Sequence, residues 1–120
     1  MIENKKLLDD FAILISDYWR LLRMYKRLVA ESKLENQSRL NSHFRNAERR
    51  LNQTLDEHKI KLISYEGKPY SPNLAVTVVN HDEFDDNENL LIHQMLEPTI
   101  IVGESYHSIG KAILSKKKDI

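Results

Sequence analysis

The chain has no glycine or proline before Gly67. All three glycines (Gly67, Gly103, Gly110) and all three prolines (Pro69, Pro72, Pro98) of its 120 residues fall in the second half. These two residue types are the strongest local breakers of regular structure. The first half is therefore free to be helical almost throughout, while the second must turn repeatedly. The expected class is α+β, with a helical region over 1–58 followed by a small antiparallel β domain over 59–120.

The helical half is patterned. Leu8, Phe11, Ile15, Tyr18, Leu22, Tyr25 and Val29 alternate spacings of three and four, which is a heptad seam. Leu7, Leu14, Leu21 and Leu28 form a second line beside it. Together they make an apolar face wider than a two-stranded coiled coil uses, as in the interior of a helix bundle. Arg20, Arg23 and Arg27 occupy the opposite face, which reads as a solvated basic surface in preference to a binding stripe.

The seam then fails, because Ser32, Lys33, Asn36 and Arg39 stand where apolar residues should be. Ser32 and Glu35 have capping-box spacing, and Asn36 and Ser38 are further candidate caps. A helix–helix turn within 31–38 is expected, in preference to one continuous helix of about 55 residues and roughly 80 Å. The second helix resumes with Leu40, Phe44, Ala47, Leu51 and Leu55, flanked by Arg45, Glu48, Arg49, Arg50 and Asp56. Two such helices build little core alone, so the hairpin is expected to pair with a second copy as a four-helix bundle. The expected core of that homodimer is Leu8, Phe11, Ile15, Tyr18, Leu22, Tyr25, Leu40, Phe44 and Leu51.

Short strands are expected in the second half around Ile60 and Leu62, then at 73–80, 90–96, 99–102 and 112–115. Gly67-Lys68-Pro69 and Ser71-Pro72-Asn73 are turn signals. The run 82–89 is acidic and reads as a solvated connection in preference to a calcium loop, because it lacks the glycine and spaced ligands of one. Pro98 is expected to end a strand and Gly103 to begin a tight connection. The terminal lysines Lys116, Lys117 and Lys118 read as a frayed end.

Chemistry-bearing motifs are scarce. There is no cysteine, hence no disulfide, thiol nucleophile or thiolate metal site. His43, His58, His81, His93 and His107 show no metal-ligand spacing. Three scattered glycines cannot form a phosphate-binding loop, and Ser105 lacks the downstream glycine of a nucleophile elbow. No catalytic residue, metal or cofactor is expected. The formal net charge is zero, with 12 Lys/Arg against 9 Asp/Glu in residues 1–60 and 6 against 9 in 61–120. That polarity is too mild to point to nucleic acid. No apolar run approaches a bilayer span, and Asp9 and Asp10 interrupt any leader core, so a cytoplasmic location without membrane partners is expected.

Two stretches carry a family resemblance. Ile60-Lys61-Leu62-Ile63, followed by Gly67-Lys68-Pro69-Tyr70-Ser71-Pro72-Asn73-Leu74-Ala75-Val76, resembles the start of the β domain of the GrpE family. There a helix end and an apolar strand precede a Pro-hydrophobic-Asp-Pro-Asn turn and an Ala-Val strand. Gln94-Met95-Leu96-Glu97-Pro98-Thr99-Ile100-Ile101-Val102-Gly103, followed by Ala112-Ile113-Leu114-Ser115, is similar to the family's closing hairpin. The sequence departs from the family in four ways. The helix before the bundle is at most a stub over 1–12. Ala75 follows Leu74 directly, without an intervening His-Gln. Thr99-Ile100 stands for a Gly-Tyr, and the segment 106–110 has no arginine.

The resemblance implies a nucleotide exchange factor, a co-chaperone that binds the ATPase domain of a DnaK-type heat-shock chaperone or a specialised homologue and promotes ADP release. It places the contact surface on the β domain near Tyr70, Glu97, Thr99, Tyr106 and His107. The alternative is a dimeric scaffold or adaptor with a GrpE-like fold that tethers a partner without exchange activity. An enzyme is a more distant third reading.

Overall fold

A computed structural model describes residues 4–31, 37–85 and 88–116. The chain divides into two compact units, Met1–Ile60 and Lys61–Ile120.

The first unit is a helical hairpin. Helix α1 spans Lys5–Glu31 and α2 spans Gln37–Glu57. Asn4 caps α1, its side-chain oxygen accepting the Leu7 N–H at 3.2 Å. The helices run antiparallel, and three hydrogen bonds fix their register. The Tyr18 hydroxyl donates to the Ala47 carbonyl and the Tyr25 hydroxyl to the Leu40 carbonyl, each at 3.1 Å. The Gln37 side-chain amide donates to the Val29 carbonyl, one of the last-turn acceptors that α1 cannot satisfy internally. The break is thus a hairpin and not one long helix. Ser32, Glu35 and Asn36 lie outside the described residues, and Ser38 sits inside α2 and not at its cap.

The expected seam is the packed face, with Ala12, Ile15, Val29, Phe44 and Leu55 buried. Leu8, Phe11, Leu22, Tyr25, Leu40 and Leu51 are half-buried. Tyr18 departs from the expectation. The residue is 39% exposed, and its hydroxyl reaches the α2 backbone across the rim of the interface. Lys59, at φ 57, takes the left-handed conformation that ends α2, a place usually filled by glycine.

From Ile60 onward the chain forms two three-stranded sheets. One has the order β1 (Ile60–Ile63), β4 (Thr99–Val102), β5 (Ser105–Ser108); the other has the order β2 (Val76–Val78), β6 (Gly110–Lys116), β3 (Leu90–Glu97). The β3–β6 and β4–β5 pairs are antiparallel, whereas β2 runs parallel to β6, a departure from an all-antiparallel sheet. The turn signals fold as read. Lys68 N–H donates to the Tyr65 carbonyl around Gly67, at φ 82, and Leu74 N–H donates to the Ser71 carbonyl around Pro72. That second turn uses up part of 73–80, so only Val76–Val78 is strand. Gly103, at φ 64, opens the two-residue loop that sets Val102 opposite Ser105.

Leu90, Ile92, Met95, Ile100, Ala112 and Leu114 form the apolar core of the second unit. Ile92 and Met95 both point inward because the register with β6 shifts between Ile92 and Gln94, leaving His93 as an exposed extra residue. Lys116 is not frayed. It belongs to β6 and pairs with Glu88 at 3.0 Å; Lys117 and Lys118 lie outside the described residues.

Candidate functional site

The five residues implicated by resemblance all fall in the β unit, but they do not converge. Tyr70 lies beside the start of β3, where its N–H donates to the Leu90 carbonyl at 2.8 Å. Its ring meets His81 edge-on at 6.0 Å, and it lines a small cleft of about 190 Å³ with Pro69, Glu88, Asn89 and Leu90. Glu97 ends the same strand. Seven residues of strand separate Leu90 from Glu97, roughly 23 Å at the usual rise.

Thr99 is not a contact residue. It is 0% exposed, and its hydroxyl donates to the Ala75 carbonyl at 2.6 Å while accepting the Gly110 N–H at 2.8 Å. It is the corner-piece that joins the β3–β4 connection to the start of β6. His107 is the extra residue of a bulge in β5, since Ile100 pairs with Ser108 and Ile101 with Tyr106. Bulges bend an edge strand and re-aim its side chains. Tyr106 is 58% exposed on that edge strand, and Ile109 next to it is also exposed. The accessible residues are therefore Tyr106 and Ile109, with His107 half-buried between them and Glu97 half-buried at the end of β3. Ile109 was not singled out from sequence, although an isolated isoleucine between two polar strand residues and a glycine is a recognisable signal.

Asn80 was also missed. Its side chain brackets Leu114, accepting the N–H at 2.8 Å and donating to the carbonyl at 3.1 Å, and it donates to Glu83 at 2.9 Å. The acidic connection is thereby anchored to β6 through a short 3₁₀ turn, His81–Glu83. Asp86 and Asn87 lie outside the described residues. Among the described residues no group of three His, Asp or Glu side chains could hold a metal ion.

A second surface belongs to the helical unit. Leu7, Leu14, Leu21 and Leu28 are 57–66% exposed, and Met24 and Ile13 are also exposed on α1. Beside this line a groove of about 440 Å³ is lined by Phe11, Leu14, Ile15, Tyr18, Arg50, Leu51 and Thr54. The basic face is partly engaged by its own helix. Arg20 pairs with Asp17 at 2.7 Å, and Arg23 lies 4.6 Å from the Trp19 ring centre. Burial, with the neighbouring Arg27 charge, lowers the Arg23 pKa from its ordinary value. No described helix is long and apolar enough to cross a membrane.

No family model, curated protein or solved structure matches this chain.

Proposed function

We propose that this chain is a cytoplasmic nucleotide exchange factor of the GrpE kind, acting on the ATPase domain of a DnaK-type chaperone or a specialised homologue. The β unit is the partner-binding head. The observation that supports this reading is that the stretches bearing the resemblance, from Lys61 onward, form turns and strands of one compact unit, in which Tyr106 on the edge strand and Ile109 just after it are exposed.

Such a factor needs no reacting group. It binds the open conformer of the ATPase domain better than the closed one, and so shifts the population toward the state that holds ADP weakly. By linkage, nucleotide weakens the binding of the factor by the same ratio. Tyr106 and Ile109 supply apolar contact area, and His107 and Glu97 supply polar contacts around it.

The test is release of fluorescent ADP from a purified DnaK-type ATPase domain. Acceleration by the chain, together with loss of the complex on adding ATP, supports exchange. A complex that survives ATP without faster release identifies a tethering adaptor instead.

A further inference from the structure

The charge of the helical hairpin is not spread evenly. Residues 18–50 hold 9 Lys/Arg against 3 Asp/Glu, while the rest of 1–60 holds 3 against 6. The mild average over the helical half therefore hides a strongly basic distal half. Among the described residues no carboxylate pairs with Lys26, Arg27, Arg45 or Arg49. Such a patch attracts and concentrates polyanions.

The cations gather on one flank of the hairpin. Trp19, Arg23 and Lys26 share a side of α1 by helical spacing. That side turns toward Phe44 of α2, whose ring lies 5.6 Å from the Lys26 ammonium. Arg45 follows Phe44 and is exposed. The two tyrosine hydrogen bonds set it level with Arg20, between Trp19 and Arg23. The same register sets Glu48 level with Asp17, where the patch ends. Across the patch the Arg23 guanidinium lies 4.6 Å from the Trp19 ring centre. The groove with Leu14 and Arg50 opens on the other flank.

We propose that this flank binds single-stranded nucleic acid. A base stacks on the Trp19–Arg23 pair, and Lys26, Arg27 and Arg45 hold the neighbouring phosphates. The chemistry of the patch chooses this ligand. Its cations are mostly guanidinium groups, which match phosphate oxygens bidentately. An indole with a guanidinium stacked on it is a platform for any base, and an acidic peptide makes no use of it. A lipid surface needs apolar side chains beside the cations, whereas the exposed leucines of α1 lie away from this flank. Read from α1 alone, the same arginines form a solvated face; the hairpin adds Arg45 beside Trp19. The inference stands apart from the exchange reading and does not depend on it.

Fluorescence anisotropy of a labelled oligothymidylate of about 20 nucleotides, titrated with the full chain, tests the binding. A dissociation constant of about 10 µM is expected at about 50 mM salt, weakening with salt at a log–log slope of about −3 for four cations. Trp19 is the one tryptophan of the chain, so unlabelled strand should quench the intrinsic fluorescence over the same range. Trp19→Leu keeps every charge and should weaken binding about tenfold through the lost stacking. Arg27→Glu and Arg45→Glu, both exposed, should each weaken it about tenfold and flatten the salt slope. Helical circular dichroism should be unchanged in all three. Arg50→Glu, on the other flank, should change the affinity by less than about twofold.

An unchanged anisotropy at about 1 mM chain, beyond the range of even non-specific binding, overturns the proposal. So does binding that leaves the Trp19 fluorescence unaltered, or an Arg50→Glu variant that loses as much affinity as Arg45→Glu. Displacement of the strand by polyglutamate at the same charge concentration assigns the flank to acidic peptides and overturns it. Binding to phosphatidylcholine–phosphatidylglycerol vesicles but not to the strand overturns it as well.

Discussion

The Thr99 hydroxyl accepts the Gly110 N–H at 2.8 Å from within a fully buried corner, and the same oxygen donates its proton to the Ala75 carbonyl at 2.6 Å. One side chain thus satisfies two backbone groups from different parts of the β unit. Removing it orphans both. Thr99→Val, nearly the same shape, should destabilise the protein by about 2–3 kcal/mol, because a buried unsatisfied group costs its full desolvation. Thr99→Ser keeps the hydroxyl and should lose about 1 kcal/mol or less. Urea denaturation curves with matched slopes decide between the two.

Gly110 is tight for a different reason. A Cβ built there would lie 2.4 Å from the Glu97 carbonyl oxygen and 2.8 Å from the Pro98 carbonyl carbon, and backbone atoms cannot swing aside as a side-chain tip can. Gly110→Ala should therefore cost about 2 kcal/mol or more, in the range of overpacked interiors. A thermal melt followed in the far ultraviolet is the measurement. An unchanged midpoint would mean that the β3–β4 corner yields.

Lys59 runs the other way. It ends α2 at φ 57, a conformation that costs an ordinary residue about 1 kcal/mol and glycine almost nothing. Lys59→Gly should raise stability by about 0.5–1 kcal/mol even though it adds no contact. Lys59→Val, branched at Cβ, should lower it. Equilibrium unfolding of both variants gives the sign.

The residues of the proposed contact surface separate by burial. Tyr106→Ala and Ile109→Ala should each weaken binding to the chaperone ATPase domain by about tenfold, as expected for a large apolar side chain at an interface. His107→Ala and Glu97→Ala should weaken it less, and all four should keep the helical circular dichroism signal. Titration calorimetry supplies the affinities. Binding insensitive to Tyr106 and Ile109 would move the contact off the β5 edge.

The exposed leucine line shows how a correct pattern can be read incompletely. Both apolar rows of α1 are visible in the spacing, and their combined width reads as a bundle interior. Only the packed hairpin reveals that α2, with its single narrow stripe, covers one row and leaves Leu7, Leu14, Leu21 and Leu28 open. Strand β5 was missed outright. Ser105-Tyr106-His107-Ser108 has no apolar alternation and becomes a strand because the Gly103 turn folds it back on β4. Thr99 was placed on a binding surface by resemblance, yet it is buried.

What the sequence determined by itself was the division of labour along the chain. Glycine and proline confined to one half, heptad spacing in the other, and two turn signals of known geometry settle class, element order and most strand positions, because they act through neighbours within a few residues. The tertiary structure decided what depends on distant partners: the parallel pairing of Val76–Val78 with β6, the Asn80 clamp on Leu114 across 34 residues, and the burial of Thr99. These are encounters between segments far apart in the chain. Their outcome is set by which hydrogen bonds and apolar surfaces can be satisfied together, and no local pattern records that.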